Sequence, residues 1–219
     1  MKVVLHEYWR SSASYRVRIA LALKGIAYHR APVDLMADAQ RSPDHLTMNP
    51  QGLVPVLQID GLVLTQSLAI IEYLDETRPG PRLLPLDPTG RARVRALSQT
   101  VASEIHPISN LRVLKRVEAL GGSMARERWN TDNIRSGLAS FETLLAKGAT
   151  GCFCHGEGPT MADCVLIPQL YNASRWGVDY SHLPRIVAVA RNCATLPAFA
   201  AAHPDCFDPD KLPATDPEH

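Results

Sequence analysis

Ser11, Ser12 and Ser14 cluster in the turn between the apolar run Val3-Val4-Leu5 and the helical stretch Tyr15-Arg16-Val17-Arg18-Ile19-Ala20-Leu21. A helix start gathers unbonded backbone N–H groups and the positive end of the helix dipole, and both favour a negatively charged sulfur or carboxylate over its protonated form. Hydroxyls placed there could hold a thiolate. The same serines would serve as ordinary helix caps, and the stretch taken alone favours that role, because serine is common at helix starts.

The elements that must position this turn follow an α/β pattern. Residues 2–8 read as a strand, 12–24 as a helix stopped by Gly25, and 27–33 as a second strand, with a short helical or irregular stretch over 40–48. Two brief apolar runs, 54–59 and 62–64, join through Asp60-Gly61, a two-residue hairpin signal. A helix over 66–78 carries Ile70, Ile71 and Leu74 on one face and Glu72, Asp75 and Glu76 toward solvent. Pro55 opens a run that otherwise reads as strand. A cis bond after Val54 and a trans proline at the first strand position would each accommodate it.

Residues 79–90 are rich in Pro and Gly, which places a linker over 81–90 between a domain over 1–80 and an all-helical domain over 91–202. Helices are expected over 91–118, 124–147, 160–176, 183–194 and 196–202, with Gly121-Gly122 separating the first two. Thr160 is expected to cap its helix with Asp163 completing a capping box, and Pro168 to kink it or leave a carbonyl unpaired. Residues 203–219 are Pro- and Asp-rich and read as a flexible tail. The fold class is therefore α/β followed by all-α.

The 219-residue chain has a formal net charge of +1, and its arginines alternate with acidic residues, so it lacks the basic excess of a nucleic-acid binder. The N-terminus puts His6 and Glu7 where a signal peptide needs apolar residues, and no apolar run reaches membrane-spanning length, which predicts a cytoplasmic protein. The five cysteines, at 152, 154, 164, 193 and 206, are odd in number and confined to the C-terminal half, so they form no disulfide framework. Cys152-Phe-Cys154-His155 is too tightly spaced for a usual zinc site and no second ligand pair follows, so buried thiols and no metal are expected. A dithiol oxidoreductase would need Cys-x-x-Cys in the first half, where there is no cysteine.

Ser11-Ser12-x-Ser14-x-Arg16-Val17-Arg18-Ile19-Ala20-Leu21 closely resembles the signature of zeta-class glutathione transferases, the family that contains maleylacetoacetate and maleylpyruvate isomerases. Further segments in family order are Asn49-Pro50-Gln51-Gly52-Leu53-Val54-Pro55, Gln66-Ser67-Leu68-Ala69-Ile70-Ile71-Glu72-Tyr73-Leu74, Arg82-Leu83-Leu84-Pro85, His106-Pro107-Ile108 and Thr160-Met161-Ala162-Asp163. The match runs over about residues 2–202.

The resemblance implies a thioredoxin-like N-terminal domain that binds glutathione as cofactor, followed by a helical glutathione-transferase C-terminal domain for the second substrate. It implies that Ser11 donates a hydrogen bond to the thiolate, supported by Ser12 and Ser14. Val54 would pair its backbone with the cysteinyl backbone of glutathione, and Gln66 and Ser67 would take the γ-glutamyl carboxylate. Gln40, His106 and Asn110 correspond to further glutathione contacts. Because a maleyl substrate is a dicarboxylate, Arg10, Arg112 and Arg175 are the expected carboxylate binders, with Ser11, Arg10 and Arg175 the catalytic set. The implied reaction is thiolate addition to a cis double bond, rotation about the resulting single bond, and elimination to the trans product. A homodimer is also implied.

Two positions depart from the family pattern. Ala13 stands where many members have cysteine, which argues against thiol-transferase chemistry, and Tyr15 stands where tryptophan is frequent. Maleylacetoacetate is the first-choice substrate and maleylpyruvate its rival. A general transferase and a noncatalytic binding protein are the other readings, the last disfavoured because Ser11, Gln66 and Ser67 are all present.

Overall fold

The computed structural model describes residues 2–211, which divide into two compact units, 2–80 with 196–211 and 81–195. In the first unit, β1 (Val4–Glu7), α1 (Ser12–Leu23) and β2 (His29–Pro32) form a parallel β-α-β turn, and a short helix α2 (Pro43–Met48) follows. β3 (Val56–Ile59) and β4 (Leu62–Thr65) complete a sheet of order β2-β1-β3-β4, with β3 antiparallel to both neighbours. The helix α3 (Ser67–Thr77) packs beside α1.

Local residue chemistry explains these boundaries. Asp60 and Gly61, at φ 55° and 79°, form the two-residue link that sets Ile59 opposite Leu62. Positive φ at both positions matches the right-handed twist of the strands. The helix α1 ends where Gly25 takes φ 64°, letting the N–H groups of Gly25 and Ile26 reach the carbonyls of Ala22 and Leu21. The core of this unit is Leu5, Val17, Leu21, Leu57, Ile70 and Ile71, all fully buried. The Val54–Pro55 bond is cis, and the third strand starts only at Val56.

The second unit is helical. Its first helix, α4 (Pro88–Gln99), starts earlier than expected because the Asp87 carboxylate accepts the N–H of Gly90 at 2.7 Å. The continuous helix expected over 91–118 is broken. A wide π-type turn spans Thr100–Ile105, a 3-10 turn spans Pro107–Ser109, and α5 (Leu111–Ala146) begins afresh under an Asn110 cap. Pro107 has no N–H to donate to the preceding turn, and the chain leaves helical geometry at Asn110, at φ −67° and ψ 145°, where α5 is capped again. Gly122, at φ 80° and ψ 180°, interrupts α5 at the expected Gly-Gly break.

The helices α6 (Met161–Arg175), α7 (Pro184–Ala194) and α8 (Pro197–Ala201) follow. The expected linker is partly docked, with Leu83 and Leu84 buried and the Leu83 carbonyl accepting the N–H of Met161 at 2.8 Å.

The C-terminal stretch departs from the expected layout. Residues from Leu196 group with the first unit, so α8 belongs there and not to the helical unit. The Arg18 Nε donates to the Ala202 carbonyl at 3.0 Å, and the Phe207 ring lies 4.5 Å from the Arg18 guanidinium and 4.6 Å from that of Arg30. Within the expected flexible tail Pro204 and Asp208 are buried and Phe207 is held by these contacts, while 212–219 lie outside the described residues. Among the described residues no helix is long and apolar enough to cross a membrane.

Candidate functional site

In the first unit, two helix starts carry the candidate residues. Ser11 is the N-cap of α1 and its Oγ accepts the N–H of Ser14 at 3.2 Å. That bond uses an oxygen lone pair and leaves the hydroxyl proton for a separate acceptor. Ser12 and Ser14 are buried, and the Ser14 Oγ has no hydrogen-bond partner. Arg10, just ahead of the cap, donates from Nη2 to the Tyr8 hydroxyl at 3.1 Å, and its guanidinium lies 4.9 Å from the Trp9 ring. The two aromatic rings restrict where that charge can point.

At the second helix start, Gln66 holds φ 67° and ψ 110°, outside the region an L residue ordinarily occupies. Backbone strain of this kind persists where the surroundings impose it, often at functional positions. The Gln66 Nε2 donates to the Gln51 Oε1 at 2.7 Å. Ser67 follows as the first residue of α3, buried, its Oγ accepting a hydrogen bond from the Arg16 Nη1 at 3.2 Å. The first turn of α3 also offers backbone N–H groups that no helical carbonyl can bond. Gln40 donates to Asp38 at 3.0 Å and keeps a buried Oε1 with no partner. Val54 lies at the cis peptide between α2 and β3.

The second unit holds the remaining candidates. His106 ends the π-type turn, and the Asn110 Oδ1 accepts the N–H of Arg112 at 3.1 Å as the cap of α5. Asn110 thus has a structural task of its own. The Arg112 side chain is exposed. Arg175, at the end of α6, has its guanidinium 5.9 Å from the Tyr171 ring and lines a cavity of about 400 Å³ with Ser123, Arg126, Glu127 and Trp176. Arg126 lies over the Trp176 ring at 5.6 Å and donates to Glu118 at 3.0 Å.

Arg112 is not among the residues lining that cavity, so the two expected arginines of this unit are not brought together there. Arg126, Trp176, Gln51 and Arg16 were missed in the sequence. Arg16 and Gln51 stood in the sequence only as members of family-like segments, Arg16 as one of two arginines in its helix.

Among the described residues no group of three or more His, Cys, Asp or Glu could hold a metal. Cys154 is buried as expected, whereas Cys152 is exposed. Burial together with the Asp163 charge pushes the Cys154 thiol well up, away from nucleophilic thiolate chemistry.

A thioredoxin-like sheet with two anion-receptive helix starts, followed by a helical unit, defines the architecture of a glutathione-binding protein. The chain belongs to the glutathione S-transferase family: residues 1–76 match its N-terminal domain and 123–206 its C-terminal domain. The maleylacetoacetate isomerase of Rhizobium meliloti is 60% identical over 210 residues, covering 95% of this chain and 99% of that one. The rat maleylacetoacetate isomerase is 48% identical, covering 95% of each. Among solved structures, a bacterial zeta-class maleylpyruvate isomerase superposes with a TM-score of 0.90 at 42% identity, covering 95% of this chain and all of that one. A maleylacetoacetate isomerase from Anaeromyxobacter dehalogenans with bound glutathione superposes at 0.85 with 45% identity, covering 98% of each.

Proposed function

We propose that this protein is a glutathione-dependent cis–trans isomerase that converts maleylacetoacetate to fumarylacetoacetate. The observation that carries the reading is the Ser11 cap, whose hydroxyl accepts from Ser14 and retains a proton to donate at the positive end of α1. Sequence identity of 60% to a maleylacetoacetate isomerase over nearly the whole chain supports the choice of reaction. The residues present suit glutathione: a thiolate at Ser11, a γ-glutamyl carboxylate at Gln66 and Ser67, and the peptide backbone at Val54. Ser12, Ser14, Gln40, His106 and Asn110 complete the proposed set.

Bound glutathione supplies the sulfur nucleophile that adds to the double bond and leaves after rotation. The chain's own work is to keep that sulfur ionised and to hold a dicarboxylate. Ser11 donates to the charged sulfur and stabilises it over the thiol. Arg10, confined by Tyr8 and Trp9, takes a carboxylate or the developing negative charge on the substrate. Arg112 and Arg175 are proposed to bind the remaining carboxylate or carbonyl oxygens. We place the enzyme in the cytoplasm as a homodimer.

Maleylpyruvate is the second reading, favoured by the 0.90 superposition on a maleylpyruvate isomerase. Both substrates are assayed with substoichiometric glutathione. Turnover of maleylacetoacetate beyond the glutathione supplied is expected. Turnover of maleylpyruvate alone would exchange the substrate. Failure of both, in protein that binds glutathione, would overturn the isomerase reading.

A further inference from the structure

Arg16 is 3% exposed and its guanidinium has one hydrogen bond, from Nη1 to the Ser67 Oγ, while Nε and Nη2 are buried with no partner. Among the described residues no salt bridge compensates it, in contrast to the other buried cations of this unit: Arg18 pairs with Glu7 and Lys24 with Asp75. A buried cation without a counter-ion is costly, and proteins normally neutralise one or pair it. The cost is retained at one place, behind the first residue of α3.

The direction of that hydrogen bond matters. A guanidinium can only donate, so Ser67 must accept, and its hydroxyl proton is then turned to some other acceptor. The unneutralised charge adds to the positive helix start and to the strained backbone of Gln66 beside it. Everything at this point is arranged for an anion.

We propose that Arg16 is a positioning residue for the carboxylate-bearing end of glutathione: it orients the Ser67 hydroxyl as a donor and supplies, one side chain removed, the positive charge that this carboxylate lacks on its own shell. The inference rests on the glutathione reading and deepens it. Arg16 touches no ligand itself and acts through Ser67.

The test is calorimetric binding of glutathione and of cysteinylglycine, which lacks the γ-glutamyl group, to wild type and to the Arg16→Gln, Arg16→Lys, Ser67→Ala and Arg16→Gln/Ser67→Ala variants. Thermal unfolding serves as a fold check. Arg16→Gln is expected to weaken glutathione roughly tenfold to a hundredfold, the range of a hydrogen bond to a charged group. Cysteinylglycine affinity should be unchanged, and Arg16→Lys should recover part of the loss. With Ser67→Ala already in place, Arg16→Gln should cost less than it does alone. A purely structural role would weaken both ligands alike and overturn the proposal. So would an effect of Ser67→Ala with none of Arg16→Gln, leaving the glutathione reading intact. Equal affinity of wild type for the two ligands would overturn the placement of the γ-glutamyl group, and the proposal with it.

Discussion

Glu7 and Arg18 form an ion pair in which neither side chain keeps any solvent exposure. It joins the first strand to the first helix beneath the serine turn. Glu7 also accepts from the Arg30 Nε at 2.6 Å, and Arg18 donates to the carbonyls of Trp9 and Ala202, each at 3.0 Å. Hydrogen bonds that satisfy both groups this fully offset much of the cost of burying them. One pair therefore ties β1, β2, α1 and the C-terminal stretch into a single packed body.

Glu7→Gln is expected to lower the stability of the protein by about 3–5 kcal/mol, because it leaves the Arg18 charge buried without its counter-ion. Replacing both members by Leu and Met should lose less than the single change. Denaturant unfolding measures both, and a loss under about 1 kcal/mol for Glu7→Gln would show that the pair behaves like an exposed one.

This pair also marks where sequence reading ends. The Asp60-Gly61 hairpin, the Gly25 stop and the Thr160–Asp163 cap were legible because each depends on neighbouring residues whose backbone needs are local. Ser11 and Ser67 were legible as helix starts for the same reason. The docking of residues 196–211 was hidden, since it depends on a charge at Arg18 that the Ala202 carbonyl and the Phe207 ring meet from the far end of the chain. The break at His106–Asn110 was hidden as well, because flanking helical periodicity outweighed one proline. Arg16 was read as part of a signature, and its burial could not be inferred from an arginine's usual preference for water.

Asp163 is fully buried and accepts from the Thr160 N–H at 2.7 Å, the Thr160 hydroxyl at 2.8 Å and the Cys154 N–H at 2.8 Å. Burial raises its pKa above the usual carboxylate range, and the hydrogen bonds oppose that shift. Asp163→Ala leaves two buried N–H groups unsatisfied, each worth roughly 1–3 kcal/mol. A stability loss of about 3 kcal/mol is expected, with the loop around Cys154 losing amide exchange protection first. Unchanged protection at Cys154 would disprove the link.

Ser11→Ala removes both functions of one hydroxyl. Loss of the cap should lower stability by about 1 kcal/mol, and loss of the donor should raise the pKa of bound glutathione's thiol by about one to two units. Thiolate absorbance titrated on the complex reads the second effect separately from the first. Ser11→Gly should nearly restore stability and leave the thiol pKa raised. If Ser11→Ala shifts only stability, the hydroxyl is a cap and nothing more.

Arg16 gives a prediction of opposite sign for stability and binding. Burial lowers its pKa from the usual guanidinium range to about 10, so it stays charged at neutral pH and that charge opposes folding. Arg16→Met should therefore raise the melting temperature by roughly 2–8 °C while weakening glutathione binding. The pH dependence has a definite sign. Above about pH 10 and below the usual guanidinium range, the folded protein has released the Arg16 proton and the unfolded chain has not, so this group makes stability rise with pH. The difference in unfolding free energy between Arg16→Met and wild type should shrink across that window. A variant that is less stable than wild type at pH 7 would show that the guanidinium contributes packing that outweighs its unpaired charge.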